Sequence, residues 1–339
     1  MKKNKSPLNK TIDMSVEEGA EYLKRCITIT ERHPLQFFEN KTILGDTFQV
    51  VQYLPPNSVD LIIADPPYNL TKAFHGNVHK KQDNQDYEIY TRTWLDAVLP
   101  LLKSTGSIYV CCDWESSLII GKVLMEKARV RNRITWQREK GRGAKANWKN
   151  AMEDIWYSTK SDDYTFNLEA VKMRKKVIAP YKVDGKPKDW EETDAGNFRD
   201  TCPSNFWNDI SIPFWSMPEN TAHPTQKPEK LIAKAILASS DEGGLILDPF
   251  LGSGTTSVVC KKLNRRFIGI EQNPMYCVWA EKRLEMADQD KSIQGYTNGV
   301  FWDRNTLAEQ MSVAQPMIND SIGGDSISVD APTEQLSLL

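Results

Sequence analysis

Val59-Asp60-Leu61-Ile62-Ile63-Ala64-Asp65-Pro66-Pro67-Tyr68 is the stretch whose reading decides the fold. A nearly unbroken apolar run reads as a strand buried on both faces, which is the mark of a mainly parallel sheet covered by helices. The run ends in a carboxylate, two prolines and an aromatic ring. Proline fixes φ and biases the residue before it toward extended geometry, so the Asp65 carboxylate and the Pro66 carbonyl become two preset acceptors. Two acceptors can grip one NH₂ group, and Tyr68 can stack on the planar ring that carries it. The competing reading is a strand closed by an ordinary Pro-Pro turn.

A second strand, loop and helix follows far along the chain. Leu245-Ile246-Leu247-Asp248-Pro249-Phe250-Leu251-Gly252-Ser253-Gly254-Thr255-Thr256 runs from apolar residues into a glycine turn. Gly252 and Gly254 permit a tight turn and a close approach of ligand to backbone, as in nucleotide-binding folds. The third glycine of the dinucleotide fingerprint is absent, so a pyrophosphate cradle is not expected. S-adenosylmethionine carries no phosphate and needs a carboxylate near its ammonium, which Asp248 can supply. A helix around Ser257 to Leu263 leads to the strand Phe267-Ile268-Gly269-Ile270 and then to Glu271 and Gln272, where an acid can accept the ribose hydroxyls.

With these pieces the chain resembles the beta group of the amino-group DNA methyltransferases, in which the DPPY tetrapeptide precedes the cofactor loop. Ile43-Leu44-Gly45-Asp46 and His223-Pro224-Thr225-Gln226-Lys227-Pro228 extend the resemblance, which covers roughly residues 40 to 160 and 200 to 285. It implies a doubly wound α/β, Rossmann-like sheet with circularly permuted motif order and an inserted target-recognition region. It also implies cofactor contacts from Asp46, Asp65, His223, Thr225, Lys227, Glu271, Gln272 and the loop of Asp248, Pro249, Phe250, Gly252, Ser253, Gly254 and Thr255. Asp65, Pro66, Pro67 and Tyr68 would be catalytic, acting on a base flipped out of double-stranded DNA. Asp in the first position implies N6 of adenine, and N4 of cytosine is the alternative. Asp46 has a plainer reading as a helix cap.

Composition agrees with a soluble enzyme: 339 residues, 40% hydrophobic, and a formal net charge of −2. No apolar stretch nears membrane-spanning length and no signal-peptide pattern follows the basic start, so cytoplasm is the expectation. Cys26, Cys111, Cys112, Cys202, Cys260 and Cys277 form no C-x-x-C pair and read as reduced core thiols. His75 and His79 alone are too few for a metal site. Neither Cys111 nor Cys112 is needed as a nucleophile.

Along the chain, Ser15-Val16-Glu17-Glu18 reads as a capping box opening a helix through about Cys26, within an accessory arm of residues 1–40. Residues 41–163 form the catalytic half, with a polar loop from Thr71 to Gln85, a helix from Tyr90 to Leu102 and a strand from Ser107 to Cys112. Residues 164–203 lose the sheet-and-helix rhythm and are the expected recognition insert. Residues 204–304 make the cofactor half.

Arg131, Arg133, Arg138, Lys140, Arg142, Lys145 and Lys149, interleaved with Trp136 and Trp148, form a basic stripe suited to DNA phosphates. The resemblance places Trp148 or a neighbour by the target base. Arg174, Lys175 and Lys176 in the insert are further candidate DNA contacts. Residues 305–339 are acidic and read as disordered. They end in Gln335-Leu336-Ser337-Leu338-Leu339, similar to peptides that dock on the replication sliding clamp. A cognate restriction endonuclease is a further partner for such an enzyme, and monomer and homodimer both stay open. Glutamine-amide methyltransferases share a Pro-Pro-Tyr tetrapeptide, but they carry Asn first and the opposite motif order. A non-catalytic DNA-binding module has no use for Asp46, Asp65 and Glu271 together.

Overall fold

The computed structural model describes residues 6–314 except 71, 75–76, 80, 139–145, 147, 179–180, 185 and 194–195, with backbone alone at 72–74, 77–79 and 312–314. An eight-stranded sheet organises it. In chain order the strands are β1 (Lys41–Leu44), β2 (Val59–Ala64), β3 (Leu102–Cys112), β4 (Arg129–Gln137), β5 (Met152–Thr159), β6 (Phe206–Trp207), β7 (Leu245–Asp248) and β8 (Arg266–Glu271). Across the sheet they lie in the order β1-β8-β7-β2-β3-β5-β4-β6. The first five run parallel, β5 opposes both β3 and β4, and β6 runs parallel to β4.

The apolar run in β2 is buried on both faces, as expected. Leu61 and Ile63 face one core, with helices α3 (Glu229–Ser239), α4 (Thr255–Lys262) and the end of α5 (Pro274–Gln289). Ile62 and Ala64 face the other, with α1 (Asn84–Val98) and α2 (Trp114–Lys127). Successive residues of a strand point to opposite faces, so one short run supplies both layers. Every residue of α3 is buried, which its lysines achieve only by pairing: Lys230 and Lys234 each lie 2.7 Å from the buried Asp209.

Several boundaries differ from the sequence reading. Between Thr71 and Gln85 the backbone pairs Lys72–Phe74 with Asn77–His79 in a hairpin, and α1 already begins at Asn84 on the Asp83 cap. The insert of 164–203 is no rhythmless excursion. Met173–Lys176, Glu191–Thr193 and Gly196–Thr201 form a small sheet completed by Val300–Trp302 and Tyr296–Thr297, residues that the sequence reading assigned to the cofactor half. Such non-local pairing leaves no local signature. Ser15 and Glu18 do exchange the capping-box hydrogen bonds, but the helix they precede is one turn, Ala20–Leu23. Leu307–Ala314, in the tail expected to be disordered, forms a helix; the clamp-like residues Gln335, Leu336, Leu338 and Leu339 lie outside the described residues.

The N-terminal arm touches both halves. Ile12 bridges Thr221, Ile27 bridges Ile43, and the Trp279 indole donates to the Met14 carbonyl at 2.8 Å. Four of the cysteines are buried, whereas Cys26 is half-buried and Cys202 exposed, so the core-thiol expectation fails for those two. No helix among the described residues is long and apolar enough to cross a membrane.

Gly254 begins α4 at φ +85°, and a Cβ there would sit 2.6 Å from that of Ala280 on α5. Positive φ and overpacking act together, so Gly254→Ala should lower stability by about 2 kcal/mol or more in chemical denaturation, with the loss in the midpoint rather than the slope.

Candidate active site

Strands β1, β8, β7 and β2 are neighbours with a common direction, so Asp46, Glu271, Asp248 and Asp65 all emerge at one edge of the sheet. Ligands of such sheets bind beyond the carboxyl ends of the strands. There the structure opens a cavity of about 770 Å³ lined by all four acids, by Phe48, Phe250 and Ile270, and by the stretch from His223 to Lys227 excluding Pro224. This lies within the range of small-ligand sites, roughly 300–1,000 Å³.

Each acid is held by its own local structure. Asp46 caps the helix Thr47–Val50 by accepting from the Gln49 N–H, so the cap and the cavity wall are the same residue. The Glu271 oxygens accept from the backbone N–H groups of Gly252 and Asn273, both at 2.8 Å. Burial raises its pKa. Asp248 accepts from Thr256 Oγ1 and the Phe250 N–H, and burial pushes its pKa up to about 7 against those bonds. Asp248 therefore shapes its loop as well as facing the cavity.

Gly252, at φ +55°, lies under the His223 ring, where a Cβ would stand 3.2 Å from Nε2. Pro249, Ser253, Thr255 and Gln272 also line the cavity, whereas Gly254 does not line it and serves the packing of α4 on α5. Gln226 ties its segment down by accepting from Thr221 and donating to the Glu219 carbonyl.

The tetrapeptide end of the cavity is electrostatically dense. Asp65 Oδ2 accepts from Lys227 Nζ at 2.6 Å, and Oδ1 from the Tyr68 hydroxyl at 2.7 Å. The Tyr87 hydroxyl donates to the Pro67 carbonyl at 3.1 Å, and no described side chain donates to that of Pro66. Lys227 also lies 3.5 Å from Glu153 Oε2 on β5, while Arg138 pairs with Oε1 of the same carboxylate. Burial disfavours the Lys227 ammonium, but Asp65 and Glu153 outweigh it and raise the pKa. Burial also raises the thiols of Cys111 and Cys112, which keeps them protonated.

Glu153 was missed from sequence. Its one signal was an acidic pair, Glu153-Asp154, inside an otherwise apolar strand. Lys227, expected among the cofactor contacts, has its ammonium on the Asp65 carboxylate. Three of the seven cations of the basic stripe face acids of the protein: Arg131 pairs with Asp162, Arg133 approaches Asp154, and Arg138 holds Glu153. Lys140, Arg142 and Lys145 lie outside the described residues. Trp148, which the resemblance places, itself or through a neighbour, by the target base, is 97% exposed and does not line the cavity. Lys149 is exposed. Arg174 grips Asp200 through two bonds of 2.8 Å and lies over the Trp302 ring, so it is a strut of the small sheet; Lys175 and Lys176 are exposed.

The donor set fits S-adenosylmethionine. Carboxylates predominate where that ligand carries ribose hydroxyls, an adenine amine and an ammonium, and the apolar side chains suit its purine. Lys227 is the lysine lining the cavity, and Asp65 already engages it.

The DNA methylase family matches residues 59–282. The chain is 34% identical over 250 residues to the type II methyltransferase M.HpaI of Haemophilus parainfluenzae, covering 73% of this chain and 74% of the relative. It is 34% identical over 261 residues to the DNA adenine methyltransferase YhdJ of Escherichia coli (strain K12), covering 74% and 84%. Among solved structures, the M1.HpyAVI complex with S-adenosylmethionine aligns with TM-score 0.50 at 25% identity, over 72% of this chain and 98% of that one. The cytosine-N4-specific PvuII methyltransferase, at 18% identity and TM-score 0.55 over 79% and 95%, shares the fold.

Asp248 supplies a pH test of the site. A carboxyl whose folded pKa is raised binds its proton in the native state while the unfolded chain has lost it, so stability falls as pH rises from about 4 to 7, by at most about 1.4 kcal/mol per unit. Asp248→Asn should flatten that slope in urea unfolding between those limits; an unchanged slope would show that the carboxyl titrates normally.

With the tetrapeptide and the cofactor loop meeting in one cavity, and with matches of this extent, the chain belongs to the DNA methylase family, in the beta group of the S-adenosylmethionine-dependent amino-group DNA methyltransferases.

Proposed function

We propose that this protein transfers a methyl group to the N6 amine of adenine in double-stranded DNA. The observation that carries the reading is Asp65, held at the end of β2 by Lys227 and Tyr68 and opening on the cavity that Asp46 and Glu271 line. The first letter of the tetrapeptide and the name of the relative YhdJ support adenine over N4 of cytosine.

An exocyclic amine is a weak nucleophile because its lone pair is delocalised into the ring. Asp65 accepts one N–H and the Pro66 carbonyl the other, drawing the nitrogen toward a tetrahedral form with the lone pair exposed. Acceptors fixed in advance stabilise that geometry without reorganising. Bound S-adenosylmethionine supplies the electrophilic methyl on its sulfonium. Asp46 holds the cofactor's adenine amine, Glu271 its ribose, and Asp248 with the His223 to Thr225 segment its methionine end. The Tyr68 ring stacks on the extruded base, whose removal from the duplex costs roughly a few kcal/mol. In this reading Lys149, Lys175 and Lys176, all exposed, meet DNA phosphates.

DNA treated with the enzyme and labelled cofactor should yield N6-methyl-2′-deoxyadenosine on digestion; N4-methyl-2′-deoxycytidine alone would overturn the choice of base. Asp65→Ala should reduce transfer by about a thousandfold, and transfer at the wild-type rate would remove Asp65 from the mechanism. A soluble cytoplasmic enzyme with a cognate restriction endonuclease is the setting this reading suits. Docking on a sliding clamp through Gln335, Leu336, Leu338 and Leu339 is a separate proposal, checked by fluorescence titration of the tail peptide with a Leu338→Ala control.

A further inference from the structure

The site as it stands presents a conflict. Asp65 is to grip an amine, yet its two oxygens already hold the Tyr68 hydroxyl at 2.7 Å and the Lys227 ammonium at 2.6 Å. An oxygen sharing a full positive charge at that distance is a poorer acceptor for a neutral N–H, because the ammonium draws on the same electron density. Lys227 cannot simply leave for solvent, since its side chain is only 6% exposed. Its departure would leave the Asp65 and Glu153 carboxylates without their shared cation, and uncompensated charge in a buried site is costly.

Glu153 offers the alternative. It is 7% exposed on β5, and its two oxygens are differently used. Oε1 is taken by Arg138, whereas Oε2 faces Lys227 Nζ at 3.5 Å and the Tyr68 hydroxyl at 3.4 Å. Both distances exceed those of good charge-assisted hydrogen bonds, about 2.7–2.9 Å. A buried carboxylate oxygen is thus left facing a cation just beyond bonding range. The lysine stem is flexible, and a shift of about 1 Å brings Nζ onto Oε2.

We infer that Glu153 is a positioning residue that takes the Lys227 ammonium from Asp65 when the target amine enters, freeing Asp65 Oδ2 to accept the amine N–H. The four charges of Asp65, Glu153, Lys227 and Arg138 sum to zero before and after the exchange, so no charge is created in the buried site. Tyr68 stays on Asp65 Oδ1 and keeps the carboxylate oriented. The exchange involves hydrogen bonds alone. It rests on the reading that Asp65 holds the amine.

The test is Glu153→Gln in the full chain, assayed by transfer of labelled methyl from S-adenosylmethionine to DNA. Glutamine keeps the shape but cannot stabilise the ammonium as a carboxylate does. The expected result is a fall in kcat of about a hundredfold, with KM for both substrates within about twofold of wild type. Turnover within about threefold of wild type, or a loss confined to KM, overturns the inference. Because Glu153→Gln leaves an excess positive charge, a charge-balanced pair guards against misfolding: Arg138→Gln with Glu153→Gln is compared with Arg138→Gln alone, and the same ratio in kcat is expected. Equal turnover in that pair overturns the inference. A wild-type enzyme that leaves DNA unlabelled sinks the DNA-amine reading itself, which separates the two failures.

Discussion

The Lys227 ammonium is the constraint on which the site depends. It brings together segments far apart in sequence: the end of β2 through Asp65, the strand β5 through Glu153, and the loop that enters α3 through its own backbone. A buried cation needs partners, and each partner it recruits is thereby located. The Thr255 hydroxyl donates to the Lys227 carbonyl, so the start of α4 and the cofactor loop are registered against the same residue. Beside the pairing of β1 with β8 and of β2 with β7, this side chain and its backbone join the catalytic and cofactor halves at the cavity. Breaking such a pair leaves uncompensated charge, which typically costs about 3–5 kcal/mol.

Behind the loop a second set of buried charges carries out the same task. Arg283 of α5 donates to the Ser253 carbonyl and to Thr255, and pairs with Glu229 at the start of α3, to which Lys262 of α4 also binds. A glycine turn folded over a cavity exposes backbone groups that must be satisfied, and these side chains and Glu271 satisfy them. The loop is therefore held by hydrogen bonds where it borders the cavity. The N-terminal arm adds to this by pairing with residues 220–222, just ahead of His223.

Positive charge in this protein is used inwardly more than composition suggests. Arg131, Arg138 and Arg174 looked like phosphate contacts, yet each is tied to an acid and each lies over an aromatic ring of the fold. Arginine is suited to such joints because its planar fork fits a carboxylate and its face stacks on a ring. Sequence order cannot separate an arginine bound to its own protein from one presented to DNA, because the deciding partner lies on another strand.

What the residues determined alone was local. The β2 run, burying Leu61 and Ile63 on one face and Ile62 and Ala64 on the other, announced a covered parallel sheet; Asp-Pro-Pro-Tyr and the glycine loop announced two strand ends with chemistry on them. These were legible because strand period, proline geometry and glycine freedom are properties of consecutive residues. What only the tertiary structure decided was non-local. The small sheet borrows Tyr296–Thr297 and Val300–Trp302 from the end of the cofactor half, Gly254 serves helix packing, and Lys227 joins Glu153 to Asp65 across strands β2, β3 and β5. Burial and charge pairing are set by distance in space, and only the folded chain brings Lys227 between its two carboxylates.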